Sequence, residues 1–450
     1  MPNDLVPYEL IIEGGEVFTP NGIQPLDIGI RGGRVEALGA LGSTSAAERL
    51  DASGLLVLPG VIDTQVHFRE PGLEHKEDLE SGTRSAILGG VTAIFEMPNT
   101  KPATTSPEAL ADKLSRAKGR AWCDYAFFIG ASAENASQLG EWERLPGCAG
   151  VKIFMGSSTG DLLVESDADL ANVLRHGVRR VSVHAEDEPR MRERKALAEE
   201  GAHPRFHPIW RDEVSAVVAT QRLLSLAEKA GRRVHVLHIT TKQEIELLAA
   251  WKHLATVELT PQHLSFDAPD CYDRLGTLAQ MNPPIRAKEH QDALWAGLLD
   301  GTVDVLGSDH APHTLDEKSK PYPQSPSGMT GVQTLLPVML THVLNGRLTL
   351  ERLVDLTSAG PSRIFGIARK GRIARGYDAD FAIVDLKRTE VLKREWIASK
   401  CGWSPYEGRL MKGWPVHTVL RGHIAVRDGE LQGRPQGGEV GFVETQARSS

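Results

Sequence analysis

Residues 61–72 read VIDTQVHFREPG and begin the pattern on which the fold depends. A short apolar run, residues 61–66, leads into a polar cluster that contains His67 and Arg69. Side chains at positions i and i+2 of a strand share one face, so Gln65 and His67 are expected to point the same way at the strand end. Two histidines at this spacing would indicate a metal site, but only one is present. The stretch therefore predicts a strand that ends either at a metal site short of one ligand or at no metal site.

From this strand to about residue 346, short apolar runs alternate with longer segments of helical periodicity. One helical segment has Ser106 as its N-cap, Pro107 at its first position and Gly119 at its end. Eight β-then-α units predict an α/β protein with a (β/α)8 TIM-like barrel. The predicted strands are residues 61–66, 91–97, 123–129, 150–155, 179–184, 232–238, 256–260 and 303–308.

The two ends of the chain differ from the middle. Residues 5–58 and the region after about residue 370 consist of short β-rich runs separated by turns that contain Gly and Asp. We predict that the two ends pair into one small composite β-sandwich beside the barrel. The predicted domains are residues 1–58 with 370–437 for the small domain, residues 59–369 for the barrel, and residues 438–450 for a loose tail.

The composition is that of an ordinary globular protein, with 41% hydrophobic and 24% charged residues. The formal net charge of -8 and the absence of Lys/Arg blocks argue against nucleic acid or an anionic membrane as the partner, and favour a small-molecule substrate. No leader-like segment begins the chain, and no apolar run reaches the roughly 18 residues that span a bilayer, so we predict a cytoplasmic protein. The scattered cysteines form no CxxC pair and are predicted to be reduced packing residues.

Ionisable or metal-binding side chains follow several of the predicted strands. The chemistry of a (β/α)8 barrel lies where its strands end, so these side chains are expected to meet at one face. Nitrogen and oxygen ligands from several strand ends are typical of a catalytic zinc-type site. The residues, in strand order, are His67 and Arg69, then Asn99, Lys152, His184, His238, and finally Asp309 with His313.

Taken singly, most of these residues have a simpler structural explanation. His184 or His238 could be a hydrogen-bonded core histidine, and Asp309 could cap the turn that follows it. Lys152 is harder to explain, because an unpaired lysine is almost never buried in an apolar strand. It requires an anion or a chemical modification.

The motifs that carry these residues resemble those of the amidohydrolase superfamily and, within it, the dihydroorotases. The terminal β segments also resemble the small composite domain of such enzymes. The resemblance implies a reversible, zinc-dependent interconversion of N-carbamoyl-L-aspartate and L-dihydroorotate in de novo pyrimidine biosynthesis. The matching motifs follow the family's order over most of the chain: PGVIDTQVHFREPG, EMPNT, GVKIF, VHAED, LHIT, NPPIR and GSDHAPH.

The resemblance also implies a set of metal ligands. They are His67 and Asp309 for a first zinc ion, His184 and His238 for a second, and Lys152, carboxylated by CO2, as a carbamate that bridges the two. The family usually has a further His at the position of Gln65. Because a glutamine amide is a neutral and weaker ligand, we expect one or two zinc ions, with the first bound less tightly.

Catalysis and substrate binding follow from the same resemblance. Asp309 is the implied catalytic residue, which takes a proton from the attacking hydroxide and passes it to the leaving ring nitrogen. Arg69 can bind a substrate carboxylate bidentately, and Asn99 and His313 resemble the residues that complete this grip. Asn282 is expected to touch the substrate ring. A site that binds a carboxylate favours dihydroorotate over substrates of the hydantoin type.

Two other functions stay open at this stage. A hydantoinase, dihydropyrimidinase or allantoinase type of cyclic amide hydrolase would keep the metal chemistry without a carboxylate grip. A non-catalytic scaffold for aspartate carbamoyltransferase is less favoured, because a decayed site would have lost more than the ligand at Gln65. The family also suggests a homodimer and an association with that transferase. The Gly-, Pro- and Ser-rich residues 318–331 either close over the substrate or simply cross the surface.

Overall fold

The computed structural model describes residues 7–158 and 162–446. Its strands form a four-stranded, an eight-stranded and a seven-stranded sheet. In chain order they are β1 (Tyr8–Glu13), β2 (Glu16–Thr19), β3 (Gly22–Pro25), β4 (Asp27–Arg31), β5 (Arg34–Gly39), β6 (Ala46–Asp51), β7 (Leu56–Pro59), β8 (Val61–Val66), β9 (Val91–Glu96), β10 (Asp124–Gly130), β11 (Cys148–Phe154), β12 (Val181–His184), β13 (Val234–Val236), β14 (Ala255–Leu259), β15 (Val305–Leu306), β16 (Phe381–Val391), β17 (Leu410–Leu420), β18 (His423–Arg427) and β19 (Glu430–Leu431).

The helices lie mainly between the strands of the eight-stranded sheet. Among the described residues, no helix combines the length and the apolar character that crossing a membrane requires. The helices are α1 (Leu79–Leu88), α2 (Pro107–Ala117), α3 (Leu139–Trp142), α4 (Asp167–Arg175), α5 (Glu188–Gly201), α6 (His207–Trp210), α7 (Glu213–Ala230), α8 (Lys242–Ala249), α9 (Pro261–Ser265), α10 (Asp270–Leu275), α11 (Lys288–Asp300), α12 (Leu315–Lys318), α13 (Leu335–Leu344), α14 (Leu350–Val354), α15 (Gly360–Phe365) and α16 (Val443–Gln446).

Strands β8–β15 form the predicted barrel, in which each strand pairs in parallel with its neighbour in the sequence. Every position of β8, β9 and β10 is buried, so their sequences do not alternate strictly between apolar and polar residues, and β8 buries Asp63, Thr64 and Gln65 as well. The ring closes just beyond β15, where the His67 amide donates to the His310 carbonyl at 2.7 Å and Val66 pairs with His310. The structure therefore confirms the fold class.

The last barrel strand is much shorter than the predicted run of residues 303–308. The Val303 amide donates to the Gly297 carbonyl at 3.0 Å, so the start of the run belongs to the turn after α11. At Asp304 the backbone amide donates to the Val257 carbonyl at 2.8 Å, but the Val257 amide is bound by the Asp304 side chain, also at 2.8 Å. Only Val305–Leu306 remain as β15. The chain then leaves the sheet early and leads directly to Asp309.

The predicted helix signals at residues 106–119 are confirmed. The Ser106 hydroxyl accepts the Ala109 amide at 3.3 Å, Pro107 begins α2, and Gly119 adopts a positive φ of 74° after the helix ends. This helix packs beside β10 and so continues the alternation of strands and helices around the barrel.

Both ends of the chain contribute to the seven-stranded sheet. Its order is β19-β18-β17-β16-β7-β2-β3, so the N-terminal and C-terminal strands meet where β7 pairs antiparallel with β16. The four-stranded sheet, β5-β4-β1-β6, packs near it around a separate apolar cluster that includes Ile12, Ile28, Val57, Phe381 and Val419. The expected pairing of the two ends is present, and the exact domain boundaries remain predictions.

A segment from the C-terminal region crosses to the top of the barrel. We call residues 398–406, which lie between β16 and β17, the covering segment. Its Trp403 indole N–H donates to the His313 carbonyl at 2.8 Å, and Thr330 Oγ1 donates to the Trp403 carbonyl at 2.6 Å. Trp403 and Tyr406 are 1% exposed and belong to the barrel core. The covering segment therefore forms part of the surroundings of the barrel's functional end.

The described part of the predicted tail is packed, whereas the sequence analysis predicts a loose one. The Gly438 amide donates to Asp124 Oδ1 at 2.8 Å, and the Val440 amide donates to the Tyr125 carbonyl at 2.9 Å. Val440 and Phe442 are each 2% exposed. Two apolar side chains in a Gly-rich stretch show no periodicity, so this packing has no signal in the sequence pattern.

Candidate active site

The C-terminal ends of the barrel strands surround a narrow cavity. All of the residues that the family resemblance implies as metal ligands line it, as do Gln65 and Asn282. Arg69, Asn99 and His313 are not on its wall, but each is hydrogen-bonded to a wall residue or to a neighbour of one. The lining residues are Gln65, His67, Lys152, Phe154, Ser158, His184, His238, Asn282, Asp309, Ala311, Ser327 and Gly328.

Two imidazoles converge on one side of the cavity. His184 Nδ1 lies 3.1 Å from His238 Nε2, and His184 Nε2 lies 2.9 Å from the Glu186 carboxylate. Because a carboxylate only accepts hydrogen bonds, His184 carries its proton on Nε2 and presents a lone pair at Nδ1. Two nitrogens bound to one zinc ion lie about 3.3 Å apart, given zinc–nitrogen bonds near 2.05 Å in tetrahedral geometry. The observed spacing fits a shared cation.

Burial also keeps these imidazoles ready to act as ligands. It lowers the pKa of His184 and holds the pKa of His238 well below its usual value. Both rings therefore stay neutral at pH values at which an exposed histidine begins to protonate. A neutral imidazole is the form that binds a metal ion.

Glu186 is a functional residue that the sequence analysis did not assign. It is fully buried and accepts hydrogen bonds from His184 and from the Arg211 guanidinium. Burial raises the pKa of Glu186, but the nearby positive charge of Arg211 and the hydrogen bond from His184 outweigh this and hold the pKa below its usual range. Its position two residues after His184 in the motif VHAED was the available signal.

Glu186→Gln is expected to weaken metal binding about 10- to 100-fold, because a carboxylate behind a ligating histidine fixes its tautomer and raises its basicity. The measurement is a zinc dissociation constant from competition with a chelator. Glu193→Gln, at an exposed position on the helix that follows Glu186, is the matched control. Equal zinc affinity in the Glu186 and Glu193 variants would contradict the orienting role.

A second pair of ligand-type atoms lies on the other side of the cavity. His67 Nδ1 is 2.8 Å from the Asn99 amide oxygen, so His67 is protonated there and presents a lone pair at Nε2. His67 Nε2 lies 3.3 Å from Asp309 Oδ1. Asn99, which the sequence analysis assigns to substrate binding, thus also fixes the ring of His67.

Gln65 stands beside this second pair. Its Nε2 donates to Asp309 Oδ1 at 3.1 Å, and its Oε1 is buried with no hydrogen-bond partner among the described residues. An orphaned amide oxygen is a weak potential metal ligand, whereas a histidine here would supply an imidazole nitrogen. The structure therefore places Gln65 where a further ligand could act.

Gln65→His is expected to increase the zinc retained after mild chelation, because it replaces a neutral amide by a stronger nitrogen ligand. Elemental analysis of the two proteins after identical dialysis against a chelator measures this. Gln138→His, at an exposed position, controls for nonspecific binding by an added histidine. If the natural protein and the Gln65 variant retain the same amount of zinc, the expected contribution is absent.

Lys152 connects the two pairs. It is 1% exposed, and its Nζ has no hydrogen-bond partner within the described ranges. Burial lowers the pKa of Lys152 to about 7, and its charge in turn lowers the pKa values of His67, His184 and His238. An amine with this pKa is partly uncharged at neutral pH and can then react with CO2, and the resulting carbamate would supply two oxygen ligands at this position.

The side chains of the cavity can form a metal centre only if Lys152 is one of the ligands. Taken by themselves, the described His, Cys, Asp and Glu side chains form no ready-made cluster of three or more ligands. They form one nitrogen pair and one nitrogen–oxygen pair, with an unpartnered lysine amine close to both. A carboxylated lysine would complete both groups, so these residues fit a metal ion.

The backbone is strained at several site residues. Arg69, His238 and Asp309 have φ values of 68°, 38° and 44°, in the left-handed region that favours glycine. Each such residue costs on the order of 1–3 kcal/mol and persists where the surrounding structure enforces it. The chain thus keeps functional side chains at positions where glycine would be the less strained choice.

Arg69 lies behind the cavity wall as a buried, unneutralised cation. It is 1% exposed, its Nε donates to the Pro312 carbonyl at 3.1 Å, and its guanidinium lies 3.2 Å from His313 Nε2. Burial lowers the pKa of Arg69 to about 10, so it remains charged. Within the part of the chain that the structure describes, no carboxylate lies within ion-pair distance, 4.0 Å, of this guanidinium.

A barrel with converging imidazoles, a carboxylate and a buried lysine at its C-terminal end defines a hydrolase-type active site. The profile described as Amidohydrolase family matches residues 56–425. The chain therefore belongs to the Amidohydrolase family.

Comparison with individual proteins gives the same family over nearly the whole chain. A dihydroorotase of Methanosarcina mazei is 34% identical and is aligned over 98% of this chain and 99% of its own. An allantoinase of Rubrobacter xylanophilus is 36% identical over 96% and 97%. The solved structure of an L-hydantoinase (dihydropyrimidinase) from Arthrobacter aurescens superposes with a TM-score of 0.91 at 31% identity, over 96% of this chain and 99% of that one.

Proposed function

We propose that this chain is a dihydroorotase, which opens L-dihydroorotate to N-carbamoyl-L-aspartate and closes it again in pyrimidine biosynthesis. The cyclic amide of dihydroorotate is the bond that a member of this family would hydrolyse. The substrate differs from hydantoin and allantoin in carrying a free carboxylate. A site for dihydroorotate therefore needs a cation that the protein itself leaves unneutralised.

The observation that carries the proposal is the state of Arg69. A buried guanidinium is costly unless it is paired, and Arg69 has no carboxylate within ion-pair distance in the described residues. It contacts His313, which in turn lies 3.0 Å from the carbonyl of Ser327 on the cavity wall. A substrate carboxylate that reached this guanidinium would be bound by parallel hydrogen bonds in the geometry that arginine favours.

We propose that zinc is the metal and that Lys152 is carboxylated. His67, Lys152, His184, His238 and Asp309 would hold one or two zinc ions, which supply a water of lowered pKa and polarise the amide carbonyl. The residues of the chain then have separate tasks. Asp309 accepts a proton on its carboxylate and returns it to the leaving ring nitrogen. Asn282 lies on the cavity wall, where it can bind the ring.

The second candidate is a hydantoinase or allantoinase type of activity. It is favoured by the high structural similarity to the Arthrobacter L-hydantoinase and by the fact that Arg69 lies behind the cavity wall. Both candidates use the same metal ligands and the same proton transfer. They differ in whether a charged group on the substrate is bound, so the choice of substrate distinguishes them.

The test is a comparison of kcat/KM for L-dihydroorotate, hydantoin, dihydrouracil and allantoin with the zinc-loaded protein. We expect dihydroorotate to be preferred by at least about 100-fold, because a site that binds a charged group discriminates strongly against substrates without it. Preference for a neutral ring would reject the dihydroorotase proposal. Failure to hydrolyse any of the four would instead favour a non-catalytic scaffold.

Other expectations from the sequence analysis belong to the same proposal. They are a cytoplasmic location, a homodimer and an association with aspartate carbamoyltransferase. The domain limits at residues 58/59 and 369/370 also remain proposals.

A further inference from the structure

A second buried lysine lies beside the active site and has no part in the chemistry described above. Lys318 is the last residue of α12 and is 1% exposed. Its ammonium donates to three backbone carbonyls, those of Gln280 at 3.1 Å, Pro326 at 2.9 Å and Gly328 at 3.1 Å. Among the residues described, no carboxylate lies within 4.0 Å of it.

The three carbonyls belong to two segments that meet at the cavity. Gln280 lies two residues before Asn282 of the cavity wall, and Gly328 is itself on the wall. The Gly328 amide also donates to the Gln280 carbonyl at 2.8 Å, and Gln280 Nε2 donates to the Ser325 carbonyl at 3.0 Å. Lys318 therefore joins the two segments at the point where they line the site.

Burying a charged ammonium group between the two segments costs free energy. Burial lowers the pKa of Lys318 to about 7, because removal from water disfavours the charged form. The three carbonyl dipoles offset part of that cost by pointing their negative ends at the nitrogen. Several backbone carbonyls converging on one positive charge also form the kind of site that binds a potassium ion in channel filters.

We propose that Lys318 is a positioning residue, whose ammonium acts as a tethered monovalent cation that fixes residues 326–328 against residues 280–282. In doing so it shapes the wall that faces the substrate ring, including Asn282, Ser327 and Gly328. The use of L-dihydroorotate as the test substrate rests on the proposed function. The arrangement of the three carbonyls around Lys318, which we call the carbonyl site, does not. Lys318→Ala removes a group of the size and charge of propylammonium. The three carbonyls then face the space that the lysine side chain had filled.

The experiment measures kcat and KM for L-dihydroorotate in Lys318→Ala, with and without propylammonium chloride. Tetramethylammonium chloride at equal ionic strength is the control salt, because it has no N–H to donate. Lys320→Ala, at an exposed position two residues away, is the control variant. We expect kcat/KM of Lys318→Ala to fall at least about tenfold, mainly through KM, because three hydrogen bonds to a charged donor are lost. Propylammonium should raise the kcat/KM of Lys318→Ala several-fold.

The proposal is overturned if Lys318→Ala keeps kcat/KM within about twofold of the natural enzyme, or if propylammonium restores no more than tetramethylammonium. If Lys318→Ala does not fold, Lys318→Gln replaces it, because its amide keeps two N–H groups and should allow folding. Its KM should be higher than that of the natural enzyme. A KM equal to the natural value in Lys318→Gln would also reject the proposal.

A thermal-unfolding arm separates this inference from the proposed function. Propylammonium should raise the Tm of the Lys318→Ala protein, and it should not raise the Tm of the Lys320→Ala protein. If the natural protein fails to hydrolyse dihydroorotate but the Tm of Lys318→Ala rises in this way, the proposed function fails and the carbonyl site stands. If dihydroorotate is hydrolysed and neither Tm nor kcat/KM responds, the carbonyl site fails alone.

Discussion

Asp309→Asn is expected to lower kcat for dihydroorotate hydrolysis by about 1,000-fold while most of the bound zinc is retained, because general acid–base catalysis contributes roughly 100- to 10,000-fold. Asn is nearly isosteric with Asp and keeps one oxygen that can face His67. Its amide cannot accept the proton of the attacking water or return one to the ring nitrogen. The variant therefore separates proton transfer from metal binding.

The measurement pairs steady-state kinetics with elemental analysis of the same protein sample. Asp316→Asn, at an exposed position seven residues further along the chain, should leave both quantities unchanged. A kcat of the Asp309 variant within about tenfold of the natural value would remove Asp309 from its catalytic role. Complete loss of zinc would instead mean that the carboxylate acts mainly as a ligand.

Arg69→Gln is expected to lower kcat/KM for dihydroorotate by at least about 100-fold, since hydrogen bonds to a charged group contribute about 1.5–3 kcal/mol each. Hydrolysis of a neutral ring such as dihydrouracil should change little, because such a ring has no carboxylate to bind. Arg69→Lys should recover only part of the loss, since an ammonium cannot form the parallel pair of hydrogen bonds.

The ratio of the two substrates is the informative quantity. A general disturbance of the barrel would lower both activities together, whereas loss of the carboxylate grip lowers only one. Arg175→Gln, at an exposed position at the end of α4, controls for the loss of a positive charge. Equal losses on both substrates would show that Arg69 supports the fold and does not select the substrate.

Much of the fold could be predicted because the barrel strands are buried on both faces. The strand predicted at residues 61–66 matches β8 in place and length, although it contains Asp63, Thr64 and Gln65. The prediction is poorest for the eighth strand, where the Val303 amide donates to a carbonyl of α11 and the Asp304 side chain accepts the Val257 amide of β14. Such competition between neighbouring elements has no local signature in the sequence.

The site was predictable to the extent that its residues sit at strand ends. Parallel strands in a barrel bring their ends together, so His184, His238 and Lys152 could be assigned to one cavity before their distances were known. The role of Glu186 depends on which ring nitrogen of His184 it meets, and this is a matter of side-chain rotamers. The surroundings of Lys318 were beyond reach, because they consist of backbone oxygens brought together by distant parts of the chain.

The pairing of β7 with β16 has a consequence for how the protein is made. Pro59 pairs with Phe381, about 320 residues further along the chain, so β7 lacks β16, one of its two neighbours in the sheet, during most of translation. The strands of the barrel leave the ribosome before β16, and the covering segment over His313 follows only after β16. A polypeptide truncated before β16 would contain all eight barrel strands but would lack the covering segment, and the edge of β7 that pairs with β16 would be exposed to other chains.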